Sequence, residues 1–175
     1  MAVDTQRMTT LVQVFDMQKS LEFYCGILGF ELLDKAGPVD DIGWVILKLN
    51  EVYLMLNTQY EMHERPQNPD LERIKAHGDT CFYFMCADPD DVYGHIILHG
   101  IAAERPKIAP YGMKQLYFSD PDGYSVCFQS PAQVINDQIS TINGMIYLLP
   151  IPAQPFSQFI DQQTNNGVNF TRLRL

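Results

Sequence analysis

The stretch VFDMQKSLEFYCGILGFELL, residues 14–33, decides the fold. Asp16 is typical of a helix N-cap, because its carboxylate accepts backbone N–H groups of the first turn. Gly29 is well placed to end that helix. A β-rich alternating stretch at residues 9–15 predicts a strand before the helix, and residues 30–33 predict one after it. Between the cap and the glycine, apolar residues recur at helical spacing: Leu21, Tyr24, Ile27 and Leu28.

The same order of elements is written twice between residues 9 and 130. The first copy continues with predicted strands at residues 44–49 and 52–56. In the second copy, a strand at residues 81–86 precedes a helix that Asp88 caps and Gly100 closes. Three further strands are predicted near residues 101–104, 114–119 and 124–129. We therefore predict an α+β fold in which two βαβββ modules, about 9–57 and 79–130, form mixed sheets cupped around a cavity.

The two modules are predicted to share one domain, residues 1–134. Residues 58–78 are polar, contain Pro66 and Pro69, and form the expected connector. The repeat is lost after Pro131, so residues 135–175 are interpreted as a C-terminal extension of unknown role. Within it, residues 144–151 suggest a strand or a docked apolar segment, and residues 156–164 a short helix.

Composition limits the possible partners. Twelve Lys and Arg residues stand against 21 Asp and Glu, and this net charge of -9 disfavours nucleic acid while a neutral or cationic small molecule is tolerated best. No apolar run approaches the ~18 residues of a membrane span, and the first residues lack a secretory signal, so we expect no membrane partner and a cytoplasmic location. The four cysteines form no C-x-x-C pair and are expected to be reduced.

The predicted hairpins have two unlike faces. In the first, one face is aliphatic and the other mixes aromatic, flexible and polar groups: Trp44, Ile46, Lys48, Tyr53, Met55 and Asn57. If the turn of the last hairpin spans an odd number of residues, Leu116, Phe118, Val126 and Phe128 face the helix, while Gln115, Tyr117, Ser119, Ser125, Cys127 and Gln129 form a second mixed face. Such faces suit a small-molecule pocket. A solvated sheet face and a protein contact surface are the alternatives.

Other polar residues have ordinary explanations. His95 and His99 are spaced i, i+4, but no acid stands beside them as in H-E-x-x-H, and we expect both to face solvent near the helix end. Asp120 and Asp122 belong to a D-P-D-G turn, in which carboxylates bond the backbone. The sequence therefore identifies no catalytic residue.

Three segments carry a family resemblance: residues 14–33, GWVILKLNEVYLML at 43–56, and YGMKQLYFSDPDGYSVCFQ at 111–129. In their order of V-x-D, S-x-x-F-Y-x-x-x-L-G-F and D-P-D-G they resemble the vicinal oxygen chelate superfamily, which includes glyoxalase I, bleomycin-resistance proteins and extradiol dioxygenases. The resemblance covers residues 9–130. It implies the glyoxalase/bleomycin-resistance fold and a homodimer whose grooves are shared between subunits.

Enzymes of this superfamily usually hold a divalent metal with His and Glu side chains. The matching positions here are Thr9, Met55, Cys81 and Cys127, and none is His, Asp or Glu. The resemblance therefore implies no metal and no cofactor. As an alternative, the two thiols with Met55 nearby suit a soft ion such as Cu(I) or Zn²⁺.

The leading interpretation is a metal-independent small-molecule binding protein, nearest to the bleomycin-resistance-like branch and suited to drug sequestration. A second interpretation is an enzyme, a glyoxalase-like lyase or isomerase or a dioxygenase, with a non-standard metal site. The ligand groove is predicted to be lined by Gln13, Trp44, Tyr53, Met55, Tyr83, Tyr117 and Cys127.

Overall fold

A computed structural model describes residues 4, 7–61, 63–132, 140–142 and 145–147. The chain divides into two compact units, Met1–Ser130 and Pro131–Leu175. Both modules lie in the first unit. The proposed domain boundary at residue 134 stays a prediction.

The first module folds around one mixed sheet, the first sheet, with the strand order β1-β4-β3-β2. β1 runs parallel to β4, and the other neighbours are antiparallel. Asp16 caps the helix through Oδ1, which accepts the Lys19 N–H at 3.4 Å. The elements are β1 Thr10–Val14, α1 Met17–Leu21 continuing as a π-helix Glu22–Ile27, β2 Glu31–Ala36, β3 Trp44–Leu49 and β4 Val52–Thr58.

The second module repeats this topology in the second sheet, with the order β5-β8-β7-β6 and β5 parallel to β8. Helix α2, Leu71–Ala76, lies in the connector and leads into a 3₁₀ turn, His77–Asp79. The module itself consists of β5 Cys81–Met85, α3 Pro89–Leu98, β6 Lys107–Ile108, β7 Met113–Ser119 and β8 Ser125–Pro131. The predicted α+β class with two βαβββ modules is confirmed.

The strand predicted near residues 101–104 is wrong, because the edge strand β6 lies at residues 107–108 and pairs with Lys114 and Gln115. The N–H of Ile101 donates to the Ile96 carbonyl at 3.1 Å, so this backbone completes the helix end. Gly100 allows that ending with φ of 77°.

Both modules contribute to one hydrophobic core. Phe23 of the π-helix lies 6.2 Å from Phe118, and Phe30 lies 6.1 Å from Phe84, measured between ring centroids. The predicted helix-facing positions of the last hairpin are all buried. On the aliphatic face of the first hairpin, four residues are buried, Leu49 is half-buried, and Val52 at the hairpin end is exposed. Core positions of the two sheets are Val45, Leu47, Leu54, Leu56, Leu116, Phe118, Val126 and Phe128.

Since alternate residues of a strand point to opposite faces, the other face of each sheet lies away from this core. We call these surfaces the first and the second mixed face. The first carries Leu11, Gln13, Trp44, Ile46, Lys48, Tyr53, Met55 and Asn57. The second carries Cys81, Tyr83, Met85, Gln115, Tyr117, Ser119, Ser125, Cys127 and Gln129.

The D-P-D-G turn of the second module is bonded to the first module. Asp120 accepts the Tyr24 hydroxyl at 2.8 Å, while its other oxygen accepts two backbone N–H groups within the turn. Asp122 accepts the Phe15 N–H at 2.7 Å and the Ser20 hydroxyl at 3.2 Å. The two carboxylates therefore hold the modules together as well as shaping the turn.

The connector also contacts this turn. The His77 ring stacks on Tyr124 with centroids 3.9 Å apart and planes 7° apart, and its Nδ1 lies 2.6 Å from the Asp122 carbonyl oxygen. Gly123 has φ of 82°, and a Cβ there would lie 2.7 Å from the Ile74 side chain of α2. A glycine is required at that position for both reasons.

In the second unit, β9 Ser140–Ile142 pairs antiparallel with β10 Met145–Tyr147. The helix predicted at residues 156–164 lies outside the described residues. Within the described part of the chain, no helix is long and apolar enough to cross a membrane.

Candidate functional site

A pair of tyrosines stands out on the second mixed face. The hydroxyls of Tyr83 and Tyr117 lie 2.9 Å apart, and their rings meet edge to face at 6.2 Å. The residues are nevertheless 53% and 42% exposed, respectively. Cys127 lies opposite Tyr83 in the strand pairing and is fully buried. Exposed aromatic surface is therefore held in a fixed orientation on this face.

The ionisable groups of this face are held in their neutral forms. Burial raises the pKa of the Cys127 thiol to about 11, and burial also raises the pKa of Cys81. The pKa of Tyr117 is raised by burial and by its hydrogen bonds with Tyr83 and Cys127. At neutral pH the face presents neutral hydrogen-bonding groups, which suits binding better than nucleophilic or base chemistry.

Two amide side chains on the same face are fixed by hydrogen bonds. Gln115 donates through Nε2 to Oε1 of Gln129 at 2.9 Å, and its own Oε1 accepts the Tyr111 hydroxyl at 2.9 Å. The fixed orientation of these groups lowers the ordering cost of binding a ligand.

On the first mixed face, the polar groups follow the pairing of β1, β4 and β3. Gln13 and Asn57 lie opposite each other, and Oε1 of Gln13 accepts from Nδ2 of Asn57 at 3.3 Å. In the antiparallel pairing of β3 with β4, Trp44 lies opposite Asn57 and Ile46 lies opposite Met55, and all four side chains are partly exposed.

Two cations flank the ring of Tyr53 on this face. The guanidinium carbon of Arg7 lies 3.8 Å from the ring centroid, and Nζ of Lys48 lies 5.6 Å from it. Both distances are within cation–π range. Among the described residues, neither cation has an acidic group within salt-bridge distance.

The structure brings the seven predicted ligand-binding residues together as two groups. Tyr83, Tyr117 and Cys127 are mutual neighbours on the second mixed face. The other four, Gln13, Trp44, Tyr53 and Met55, share the first mixed face. In the described ranges, no hydrogen bond or ring contact joins one group to the other. Their role as one ligand site stays a prediction.

Two clefts lie elsewhere, on either side of the Asp16–Arg65 ion pair, whose atoms are 3.3 Å apart. Their volumes are about 390 Å³ and about 120 Å³. Residues 65–69 line the larger cleft, and Met17 and Tyr60 line the smaller one. None of the seven predicted residues lines either cleft.

The four positions that match the family's metal ligands do not supply the imidazole and carboxylate groups that the family usually uses. They supply a hydroxyl, a thioether and two thiols, and these sulfur groups are the donors of a soft ion and not of a hard, oxygen-preferring one. Thr9 precedes β1, and Met55 lies on β4. Within the part of the chain that the structure describes, no three His, Cys, Asp or Glu side chains form a cluster able to hold a metal.

His95 and His99 are exposed, as predicted. Nε2 of His95 lies 2.7 Å from the Ile27 carbonyl oxygen, and Nδ1 of His99 lies 2.9 Å from the His95 carbonyl oxygen. These contacts with backbone carbonyl oxygens account for the positions of both imidazole rings.

Sequence reasoning missed the position of Arg7, which precedes β1 and belongs to no periodic pattern. The Lys48–Tyr53 pair, by contrast, follows from the hairpin register. The same reasoning also missed the bonds from Asp120 and Asp122 to the first module, since they join residues about 100 positions apart.

The model of the Glyoxalase/Bleomycin resistance protein/Dioxygenase superfamily matches residues 7–128. No curated protein matches the chain. The chain is similar to many solved structures, including the three that follow. TnmS3, an antibiotic binding protein from Streptomyces sp. CB03234, is 25% identical with a TM-score of 0.56, over 75% of this chain and 99% of that one.

The other two are similar to the same degree. The protein SMU.1112c is 26% identical with a TM-score of 0.57, over 72% of this chain and 98% of that one. A glyoxalase/bleomycin resistance protein from Streptomyces sp. CB03234 is 25% identical with a TM-score of 0.50, over 70% of this chain and 97% of that one.

Proposed function

The chain belongs to the Glyoxalase/Bleomycin resistance protein/Dioxygenase superfamily, and from this premise we propose that it binds a small molecule without altering it. The ligand occupies a groove formed by the two mixed faces. Seven side chains line that groove: Gln13, Trp44, Tyr53, Met55, Tyr83, Tyr117 and Cys127.

The observation that carries this proposal is the bonded pair of Tyr83 and Tyr117. Two phenols that are about half exposed, yet fixed by a 2.9 Å hydroxyl contact, offer aromatic surface at a low entropic cost. The neutral thiol of Cys127 packs beside them, fully buried, and adds no reactive group to the face. TnmS3 is described as an antibiotic binding protein, which supports an antibiotic or a similar compound as the kind of ligand.

We further propose a homodimer in which the first mixed face of one subunit lies opposite the second mixed face of its partner. In a single chain both faces lie away from the shared core and carry exposed apolar side chains, among them Leu11 and Met85. A protein rarely leaves such surfaces uncovered in solution. Light scattering across a dilution series should give twice the mass of one chain. A monomer at every concentration would exclude this arrangement.

The ligand site is tested by thermal shift with a panel of aromatic compounds. A compound that binds the groove raises the melting temperature by mass action, and Tyr117→Ala should reduce that rise. Tyr60→Ala is the matched control, because Tyr60 lines the smaller cleft and lies on neither mixed face. Equal rises in wild type and Tyr117→Ala, with a loss in Tyr60→Ala, would place the ligand in the cleft instead.

Metal independence is a separate part of the proposal. The donor chemistry at Thr9, Met55, Cys81 and Cys127 supports it, because these residues lack imidazole and carboxylate. Metal content is to be measured on protein purified without chelator. Stoichiometric metal that is lost in Cys81→Ala or Cys127→Ala would overturn the binding-only function.

A further inference from the structure

The charge on the first mixed face is opposite to the charge of the whole chain. The chain carries a net charge of -9, yet the ring of Tyr53 has Arg7 on its face at 3.8 Å and Lys48 at 5.6 Å. Neither cation has an ion-pair partner within the described ranges. Two positive charges are therefore available beside Tyr53, near the hairpin end of the first mixed face.

The acidic groups of this face lie at its edge. By register, Glu31 lies opposite Lys48 and Asp34 lies opposite Ile46, so both share the mixed face, on the outer strand β2. Neither is within salt-bridge distance of Lys48. Arg7 lies ahead of β1, at the opposite edge of the sheet. The two cations therefore flank Tyr53 of β4, with Lys48 on β3 next to β2 and Arg7 on the side of β1.

The second mixed face contributes little charge of its own. Its nine positions carry no acidic or basic residue, and Lys107 lies opposite Gln115 at the edge strand β6. Charges farther away act weakly, because the Debye length is about 8 Å at physiological ionic strength. The two cations beside Tyr53 therefore decide which ligand charge the groove favours, and the net charge of the chain does not.

Resting on the proposed function, we infer that the ligand of the groove is an aromatic anion, a ring system carrying a carboxylate or a comparably acidic group. The anionic group lies beside Arg7 and Lys48, whose N–H donors suit carboxylate oxygens. The ring contacts Tyr53 and the tyrosine pair of the second mixed face. The neutral hydroxyl and amide groups there bond the polar substituents of the ring.

The inference is tested by calorimetric titration of the intact protein with three naphthalene probes of equal shape: 2-naphthoate, 2-naphthamide and 2-naphthylmethylammonium. The carboxylate should bind about tenfold more tightly than the neutral amide, since each exposed charge pair contributes about two- to fivefold. The ammonium probe should bind most weakly. Added salt should weaken binding of the carboxylate and leave the amide unchanged.

Variants identify the charges responsible. Arg7→Gln and Lys48→Gln should each weaken 2-naphthoate binding about two- to fivefold, and the double variant should bind acid and amide alike. Lys35→Gln is the matched control. It removes one positive charge from the same sheet, but Lys35 lies opposite the buried Val45 and thus on the other face. It should not change the affinity.

The outcomes separate this inference from the proposed function. If the amide binds as tightly as the acid and Tyr117→Ala weakens both, the groove is supported as the ligand site and the inference of an anionic ligand is wrong. If Tyr117→Ala changes neither, the groove itself fails. Absence of binding by all three probes also overturns the inference, while the compound panel still decides the groove. If Arg7→Gln or Lys48→Gln only dissociates a dimer, the cations serve the subunit contact and the inference is wrong.

Discussion

Replacing Asp120 by Asn should change how stability depends on pH. Asp120 lies where the D-P-D-G turn hydrogen-bonds to the first module, which is the joint between the two modules. Burial there raises its pKa to about 6 from an ordinary 3.8, against the opposing effect of the Tyr24 hydrogen bond. An acid whose pKa is higher in the folded state binds its proton more tightly there. Its contribution to stability is therefore full below about pH 4 and is lost as the pH rises through 6.

The size of the effect follows from the two pKa values. A difference of about two units, at about 1.4 kcal/mol each, amounts to about 3 kcal/mol, of which about 2–3 kcal/mol is lost between pH 4 and pH 7. Asn cannot titrate, so Asp120→Asn lacks this loss. The pKa of Asp122 is raised by burial too, which adds pH dependence of the same sign in both proteins.

The assay is urea unfolding of wild type and Asp120→Asn at pH 4, 5, 6 and 7. The free energy of unfolding of wild type minus that of the variant should fall by about 2–3 kcal/mol across this range. Asp34→Asn is the control, because it removes a carboxylate from the exposed strand β2. A difference that stays constant from pH 4 to pH 7 would refute the reasoning about the buried joint.

Two substitutions test the same joint by other means. Tyr24→Phe should lower the free energy of unfolding by about 1–3 kcal/mol in urea at pH 7, because it leaves a buried oxygen of Asp120 without its 2.8 Å donor; an unchanged value would mean that the bond is not formed. Gly123→Ala should cost about 1–3 kcal/mol in thermal unfolding, since φ is 82° and the new Cβ meets Ile74 at 2.7 Å. Gly78→Ala, which meets no atom within 4 Å, is its control, and equal losses in the two would contradict the steric argument.

The parts of the fold that the sequence predicted are those with local signals. β3 was predicted at the residues where it occurs, since its apolar residues alternate and its turn at Asn50 has φ of 51°, which favours Asn. The helix caps Asp16 and Asp88 were also predicted, because an Asp just before a helical pattern is a local signal. In the structure each side chain accepts a backbone N–H from the residue two or three positions later. β6 was misplaced because only two residues pair there, too few for a periodic pattern.

The candidate site was only partly predictable, because some of its contacts join residues that are far apart in the sequence and leave no local pattern. Strand alternation placed Tyr53, Tyr83 and Tyr117 on the mixed faces, but it carries no information on which residues outside the strands reach those faces. Arg7 is the clearest case, since a contact of 3.8 Å with Tyr53 joins positions 46 residues apart. The net charge of the chain is negative, so it gave no indication of the positive charge on the first mixed face.

The most direct test of the groove is NMR of protein labelled with ¹³C at its methionine methyl groups, titrated with 2-naphthoate. Met55 lies on the first mixed face and Met85 on the second, whereas Met113 is buried and Met17 lines the smaller cleft. We predict that the signals of Met55 and Met85 shift together with a common dissociation constant while those of Met17 and Met113 stay in place. A shift of Met17 with Met55 and Met85 unmoved would contradict the account.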